Sequence, residues 1–281
     1  NRTINTAAGN ITIGGAISGS GSLTKNGTGT LTLSGSRTNT GNLTINAGNV
    51  NVNAAAAFVN TTVNAGGTLT HTANIWGNVA NITLNGGAFV SGSFGEIGAI
   101  TMNNGTITQS GGYLRAWGGW ILSGNNTINV SSYINIDGSG IYSGVFNVLS
   151  GTTTISGVVG QGGNGVNAIG FTKNGTGTLV LTGANAWGGG TGNAKLNAGT
   201  LVLNNNTALG NNIFTINGGT LDVTSGTSIT LTNNKTQSWN GDFTFLGTNG
   251  SLNTGTGNVT MNASRTVTVN AGNFTVGGII S

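Results

Sequence analysis

The 281-residue chain has no cysteine and no proline, and only 12 of its residues carry charge. Each shortage removes a class. Without cysteine there is no disulfide scaffold and no thiolate metal site. Without proline, and without a three-residue glycine period, there is no collagen. Charge at 4%, against about 25% in ordinary domains, is too sparse for a polyelectrolyte tail. The eight Lys and Arg stand alone, at Arg2, Lys25, Arg37, Arg115, Lys173, Lys195, Lys235 and Arg265. Phosphate backbones need clustered cations, so the net charge of +4 does not read as nucleic-acid binding. No run approaches the eighteen apolar residues of a membrane-spanning helix, and the segment opens without a signal-peptide pattern. An export address, if there is one, is expected outside it.

What is abundant is glycine, 54 residues of 281, set among Asn, Thr and alternating aliphatics. These are poor helix formers, and the alternation has the period of a half-buried strand. In Thr30-Leu31-Thr32-Leu33 the two Leu face one way and the two Thr the other. Asn-Gly pairs at 26–27, 85–86, 104–105, 174–175, 217–218 and 240–241 mark turns that need left-handed backbone. The apolar anchors of the strands fall at 31, 50, 69, 89 and 107, then at 179, 201 and 221. Their spacings are 19, 19, 20 and 18, then 22 and 20. Short strands at a period near 20 describe one β-solenoid turn per repeat. The expected fold is therefore all-β: a single-stranded β-solenoid (parallel β-helix) running through 1–281, with about fourteen turns at about 20 residues each. Asn46, Asn64, Asn85 and Asn103 recur at one-turn intervals, which predicts stacked amide ladders.

Two stretches are near-copies. Leu23-Thr24-Lys25-Asn26-Gly27-Thr28-Gly29-Thr30-Leu31-Thr32-Leu33 matches Phe171-Thr172-Lys173-Asn174-Gly175-Thr176-Gly177-Thr178-Leu179-Val180-Leu181, and both continue to Asn-Ala-Gly at 46–48 and 197–199. This pattern resembles the autotransporter-associated β-strand repeat, also called the passenger-associated transport repeat. Its later Asn corresponds to Arg37 and Asn185, and its Tyr to Asn39 and Trp187. The stretch Gln237–Phe245 also resembles segments that accompany such repeats. The resemblance implies an exported, right-handed β-helical protein on a bacterial surface or outside the cell, with no catalytic residue in the repeat itself.

Residues 1–18 align with 264–281 without gaps, with ten identities in eighteen, 263 residues apart. A solenoid that repeats its own first turn is expected to be part of a tandem array or to stack end to end. The contact turns would then carry Ile11, Ile13, Ile17, Phe274, Val276, Ile279 and Ile280. The expected partner is the protein itself, as covalent repeats or stacked copies.

Four acids, Glu96, Asp137, Asp222 and Asp242, leave little for catalysis. Asp222 and Asp242 are about one turn apart and would have to stack to form a glycosidase pair. The simpler expectation puts Asp222 among outward strand positions and Asp242 after a turn. A single His71, read as a solvated strand-end side chain, excludes a multi-histidine metal centre, and no Asp repeat marks a calcium solenoid. No enzyme activity and no cofactor are expected. The densest aromatic group, Tyr113, Arg115, Trp117 and Trp120, is a candidate surface for glycans or a neighbouring fibre, against the alternative that Trp supplies bulk to the core. Thr-x-Thr at 30–32, 68–70 and 106–108 suggests an ice-binding face, but Asn49/Asn51 and Ala88/Val90 interrupt it. The best reading is a structural fibre segment of an extracellular or surface protein, with an adhesin using the aromatic group as the alternative. Having so little to titrate, the protein should melt within a few degrees of the same temperature at pH 4 and pH 9; a difference of tens of degrees in scanning calorimetry would contradict this.

Overall fold

The computed structural model describes residues 1–53, 58–72, 81–136, 144–160, 170–185, 193–211 and 213–281. These residues contain strands and no helix, and they divide into two compact units, Asn1–Ser132 and Tyr133–Ser281. All strand pairing within named sheets is parallel, each strand lying on its counterpart from the next turn.

In the first unit, one sheet stacks Arg2–Asn5, Leu23–Asn26, Leu43–Ile45, Asn60–Asn64, Asn81–Asn85, Ile100–Asn103 and Trp120–Ser123. A second stacks Ile11–Ile13, Thr30–Leu33, Gly48–Val52, Gly67–His71, Ala88–Ser91, Thr106–Gln109 and Asn126–Val130. A short third face pairs Gly95–Ile97 with Tyr113–Ala116. The second unit repeats the plan. Its first sheet runs from Val145–Val148 to Val259–Met261 and its second from Thr152–Ile155 to Val267–Val269. Shorter pairings, Tyr133–Asn135 with Val158–Gly160 and Ile229–Thr230 with Leu252–Asn253 and Phe274–Thr275, complete it.

The solenoid class is as the period indicates, and Leu31 and Leu33 are fully buried between half-exposed Thr30 and Thr32. The turns are fewer than fourteen because their length is not constant. In the first unit successive ladder asparagines are 20, 18 and 21 residues apart. In the second unit the corresponding steps reach 27 and 23. A parallel ladder fixes the strands but lets the connections swell, so a 20-residue divisor overcounts.

The amide ladders are present. Asn46 Nδ2 donates to Asn26 Oδ1 at 2.8 Å, Asn64 to Asn46 at 2.7 Å and Asn85 to Asn64 at 3.4 Å. A parallel column links Asn42, Asn60 and Asn81. In the second unit five asparagines, 147, 174, 197, 217 and 240, form one run of four bonds between 2.7 and 3.0 Å. Each amide has a donor on one side and an acceptor on the other, so an identical residue one turn away is its natural partner.

Corners are close-packed backbone. Gly199 has φ of +68°, and a Cβ there would sit 2.4 Å from Gly175 O and 2.8 Å from Lys173 Nζ. Gly199→Ala should therefore destabilise the protein by about 2–4 kcal/mol, combining left-handed strain with overpacking. Gly15→Ala, where nothing lies within 4 Å, should stay within about 0.5 kcal/mol. Urea unfolding of the two variants checks the contrast.

Candidate functional site

The two lysines of the repeated motif are not solvated. Lys25 is wholly buried, in an inward column between Ile4 and Ile45. Its Nζ donates to the carbonyls of Asn26 (3.0 Å), Gly27 (2.7 Å) and, one turn on, Ala47 (3.0 Å). In the second unit Lys173, also wholly buried, lies between Phe146 and Leu196. Its Nζ donates to Asn174 O (2.9 Å), Gly175 O (2.8 Å) and Ala198 O (3.0 Å). The aliphatic stem fills a core position while the ammonium, with three donors, satisfies three carbonyls that a glycine corner turns inward. The Asn-Gly-Thr-Gly sequence after each lysine builds that corner. Burial lowers the pKa of both lysines, Lys173 to about 8.

The second-copy corner has a further tie. Asn185, buried, accepts from Val159 N at 2.8 Å and donates to Ala208 O at 2.8 Å, joining the turns on either side. Arg37 occupies the corresponding place in the first copy, buried with its guanidinium 5.7 Å from the centre of the Phe58 ring.

The aromatic group divides. Trp120 is completely buried at the start of a core strand, its neighbour in the column being Ile100. Arg115 is also buried and pairs with Glu96 at 3.1 Å, while its guanidinium stacks 4.0 Å from the centre of the Tyr113 ring. Tyr113 OH reaches Glu96 Oε1 at 3.4 Å. Arg115 therefore fixes Tyr113 and balances a buried carboxylate; neither it nor Trp120 presents a face to an external sugar. Tyr113 and Trp117 are half-exposed, and they are the accessible part of the group.

Two other expectations are corrected, those for His71 and for the side chain of Asp222. His71 is buried, 2% exposed, not solvated. Asp222 is buried as well, because it turns back to accept from Val223 N, Thr248 N and Thr248 Oγ1. Asp222 and Asp242 do not stack: Leu221 pairs with Phe245, which puts Asp222 one step beyond that pair. Asp242 instead caps Thr266 N from an exposed corner. The fourth acid, Asp137, and Trp187 lie outside the described residues.

The interruptions of the Thr array hold on the second sheet, where Thr30 pairs with Asn49 and Thr68 with Ala88. The first sheet carries what was missed. Thr3, Thr24, Thr44, Thr62, Thr83 and Thr101 form an unbroken outward column in the first unit. The outward Thr of each of these strands was visible in the sequence; the register that aligns them was not. Of the contact-turn residues, Ile11, Ile279 and Ile280 are 40%, 71% and 49% exposed, and Ile13, Ile17, Phe274 and Val276 are half-buried.

Comparison with known proteins agrees with this geometry. The family model described as passenger-associated-transport-repeat matches residues 23–52, 171–191 and 194–223, taking in both buried lysines. The adhesin BmaC autotransporter of Brucella suis biovar 1 (strain 1330) is 34% identical over 119 residues, which is 37% of this chain and 3% of that protein. The chain thus spans only a small fraction of this curated relative. No solved structure gives a match.

Replacing Lys173 by Met should leave three carbonyls without a donor and cost about 2–4 kcal/mol, whereas Lys195→Met, at an exposed position, should be neutral within about 0.5 kcal/mol. The pH response has a definite sign. With a folded pKa of about 8, below the unfolded value of about 10.4, the unfolded chain holds the extra proton between those values. Stability should therefore rise by a small amount from pH 8 to pH 10. Urea unfolding should show this rise, and show it reduced in the Lys173→Met variant.

Proposed function

We propose, from the premise that this chain carries the passenger-associated transport repeat in three segments, that it is a structural part of a secreted or surface-displayed passenger. In this reading its work is mechanical: a stiff fibre segment with a neutral, hydrated exterior. The observation that carries it is the set of unbroken asparagine ladders, four successive bonds in the second unit alone, lying over apolar columns. Such ladders tie each turn to the next on the outside while the core ties them on the inside. They offer no convergent acid, base or nucleophile, and among the described residues no three His, Asp or Glu gather as metal ligands. Copies would meet through turns exposing Ile11, Ile279 and Ile280.

A second reading, adhesion to glycans, is supported by half-exposed Tyr113 and Trp117 and by the adhesin name of the Brucella suis relative. Negative-stain electron microscopy of the purified chain at rising concentration separates the two. Fibres whose length grows with concentration, and shortens on Ile279→Lys, support the mechanical reading. Short particles that bind a glycan array, with the signal abolished by Trp117→Ala, support the adhesive one.

A further inference from the structure

The Asn-Gly corners that turn this chain carry a reaction of their own. A deprotonated glycine N–H attacks the asparagine Cγ, forming a C–N bond and expelling the side-chain nitrogen as ammonia. Water then opens the succinimide to aspartate or isoaspartate. Glycine suits the step because no side chain shields its nitrogen. The amide must first swing over that nitrogen, so a hydrogen bond that holds it elsewhere slows the reaction.

Six Asn-Gly pairs are held in this way. Asn26 accepts from Asn46 at 2.8 Å, and Asn85 donates to Asn64 at 3.4 Å. Asn174, Asn217 and Asn240 belong to the ladder of the second unit. Asn104 donates to Asn103 Oδ1 at 3.1 Å and accepts from Asn125 N at 2.9 Å. In three of the six the nucleophile is engaged too: Gly86 N–H donates to Asn103 O, Gly105 N–H to Asn126 Oδ1 and Gly241 N–H to Ile216 O. Two further pairs stand outside the ladders' sequence pattern, at 164–165 and 249–250, and the first lies outside the described residues.

Asn249-Gly250 differs from the six. The Asn249 main chain is tied to the turn before it, its N–H donating to Val223 O at 2.9 Å and its carbonyl accepting from Gly226 N at 3.1 Å. Its side chain is exposed, and among the described residues no hydrogen bond engages that amide or the Gly250 N–H. Electrophile and nucleophile are both unengaged. We propose that Asn249 is a site of covalent modification, spontaneous deamidation through a succinimide with Gly250, and that the asparagine ladders withhold the other described pairs from the same reaction. Each event replaces a neutral amide by a carboxylate and lowers the net charge of +4 by one. The isoaspartate product also adds a main-chain carbon at a corner whose two ties to the neighbouring turn are set for an ordinary peptide. The site follows from corner chemistry and does not depend on the mechanical reading.

Ageing of the full chain in mildly alkaline buffer, with peptide mapping by mass spectrometry, tests the assignment. Asn249 should convert about tenfold faster than any of the six held asparagines, the factor that one or two hydrogen bonds supply. In urea, where the ladders are gone, that advantage should vanish. Asn197→Ser removes one ladder bond from both Asn174 and Asn217, so conversion at those two should quicken by about fivefold. The rate at Asn249 should not change in that variant, which shows that the fold is intact. Equal rates at Asn249 and the held pairs in the folded chain, an advantage that persists in urea, or ladder asparagines unmoved by Asn197→Ser would each overturn the proposal.

Discussion

In a parallel stack of turns every side chain sees its counterpart one turn above and one turn below, at about 4.8 Å. Whatever stands at a position must tolerate neighbours of its own kind or be given special ones. Aliphatic columns meet this condition by packing, as Leu31 does on Val50 and Ile11. Asparagine meets it by being donor and acceptor at once. Threonine meets it on the outside, where six in a row cost nothing in charge. Lysine cannot meet it, since two stacked ammonium groups repel.

This is why the motif lysines are instructive. Lys25 stands in a column with Ile4 and Ile45, and Lys173 with Phe146 and Leu196. In each case the column tolerates one cation because its stem is aliphatic and its head leaves the column for a cage of carbonyls. The glycines around that cage are required by the same geometry. A Cβ at Gly48 would come within 2.4 Å of Gly29 O and 2.6 Å of Gly27 O, the latter a lysine ligand. Lysine, Asn-Gly and the glycine one turn later form one structural unit, and the spacing of the motif is the spacing of that unit.

How much of this the sequence discloses depends on range. Strand alternation, the near-20 period and the asparagine ladders are legible because they repeat residue by residue along the chain. The Thr column was not, since it depends on which strands share a sheet, and turns of 18 to 27 residues blur that alignment. Burial of polar side chains was misread for a similar reason. His71 and Asp222 each end a strand, and Arg115 lies in the short strand Tyr113–Ala116 of the third face, where alternation loses its authority and the local fold decides. Asp222 turns inward to Thr248, 26 residues away, and Arg115 to Glu96, 19 away. Neither partner has a sequence mark. Trp120 was readable in principle, standing one turn from Ile100, but its place in a cluster of aromatics suggested a surface.

The scarcity of charge follows from the same stacking constraint. Two unit charges about 4.8 Å apart repel by about 1 kcal/mol even in water, and a charged column repeats that penalty at every turn. A chain built of about eleven like turns can therefore keep ionic side chains only as single occurrences, several of them with local partners. Glu96 has Arg115 and Tyr113, Asp222 has Thr248, Asp242 has the Thr266 amide, and the motif lysines have their carbonyls. Solubility must then come from neutral polar groups, and the surface fills with Asn, Thr, Ser and Gly. The composition that first excluded so many protein classes is the consequence of one repeat distance.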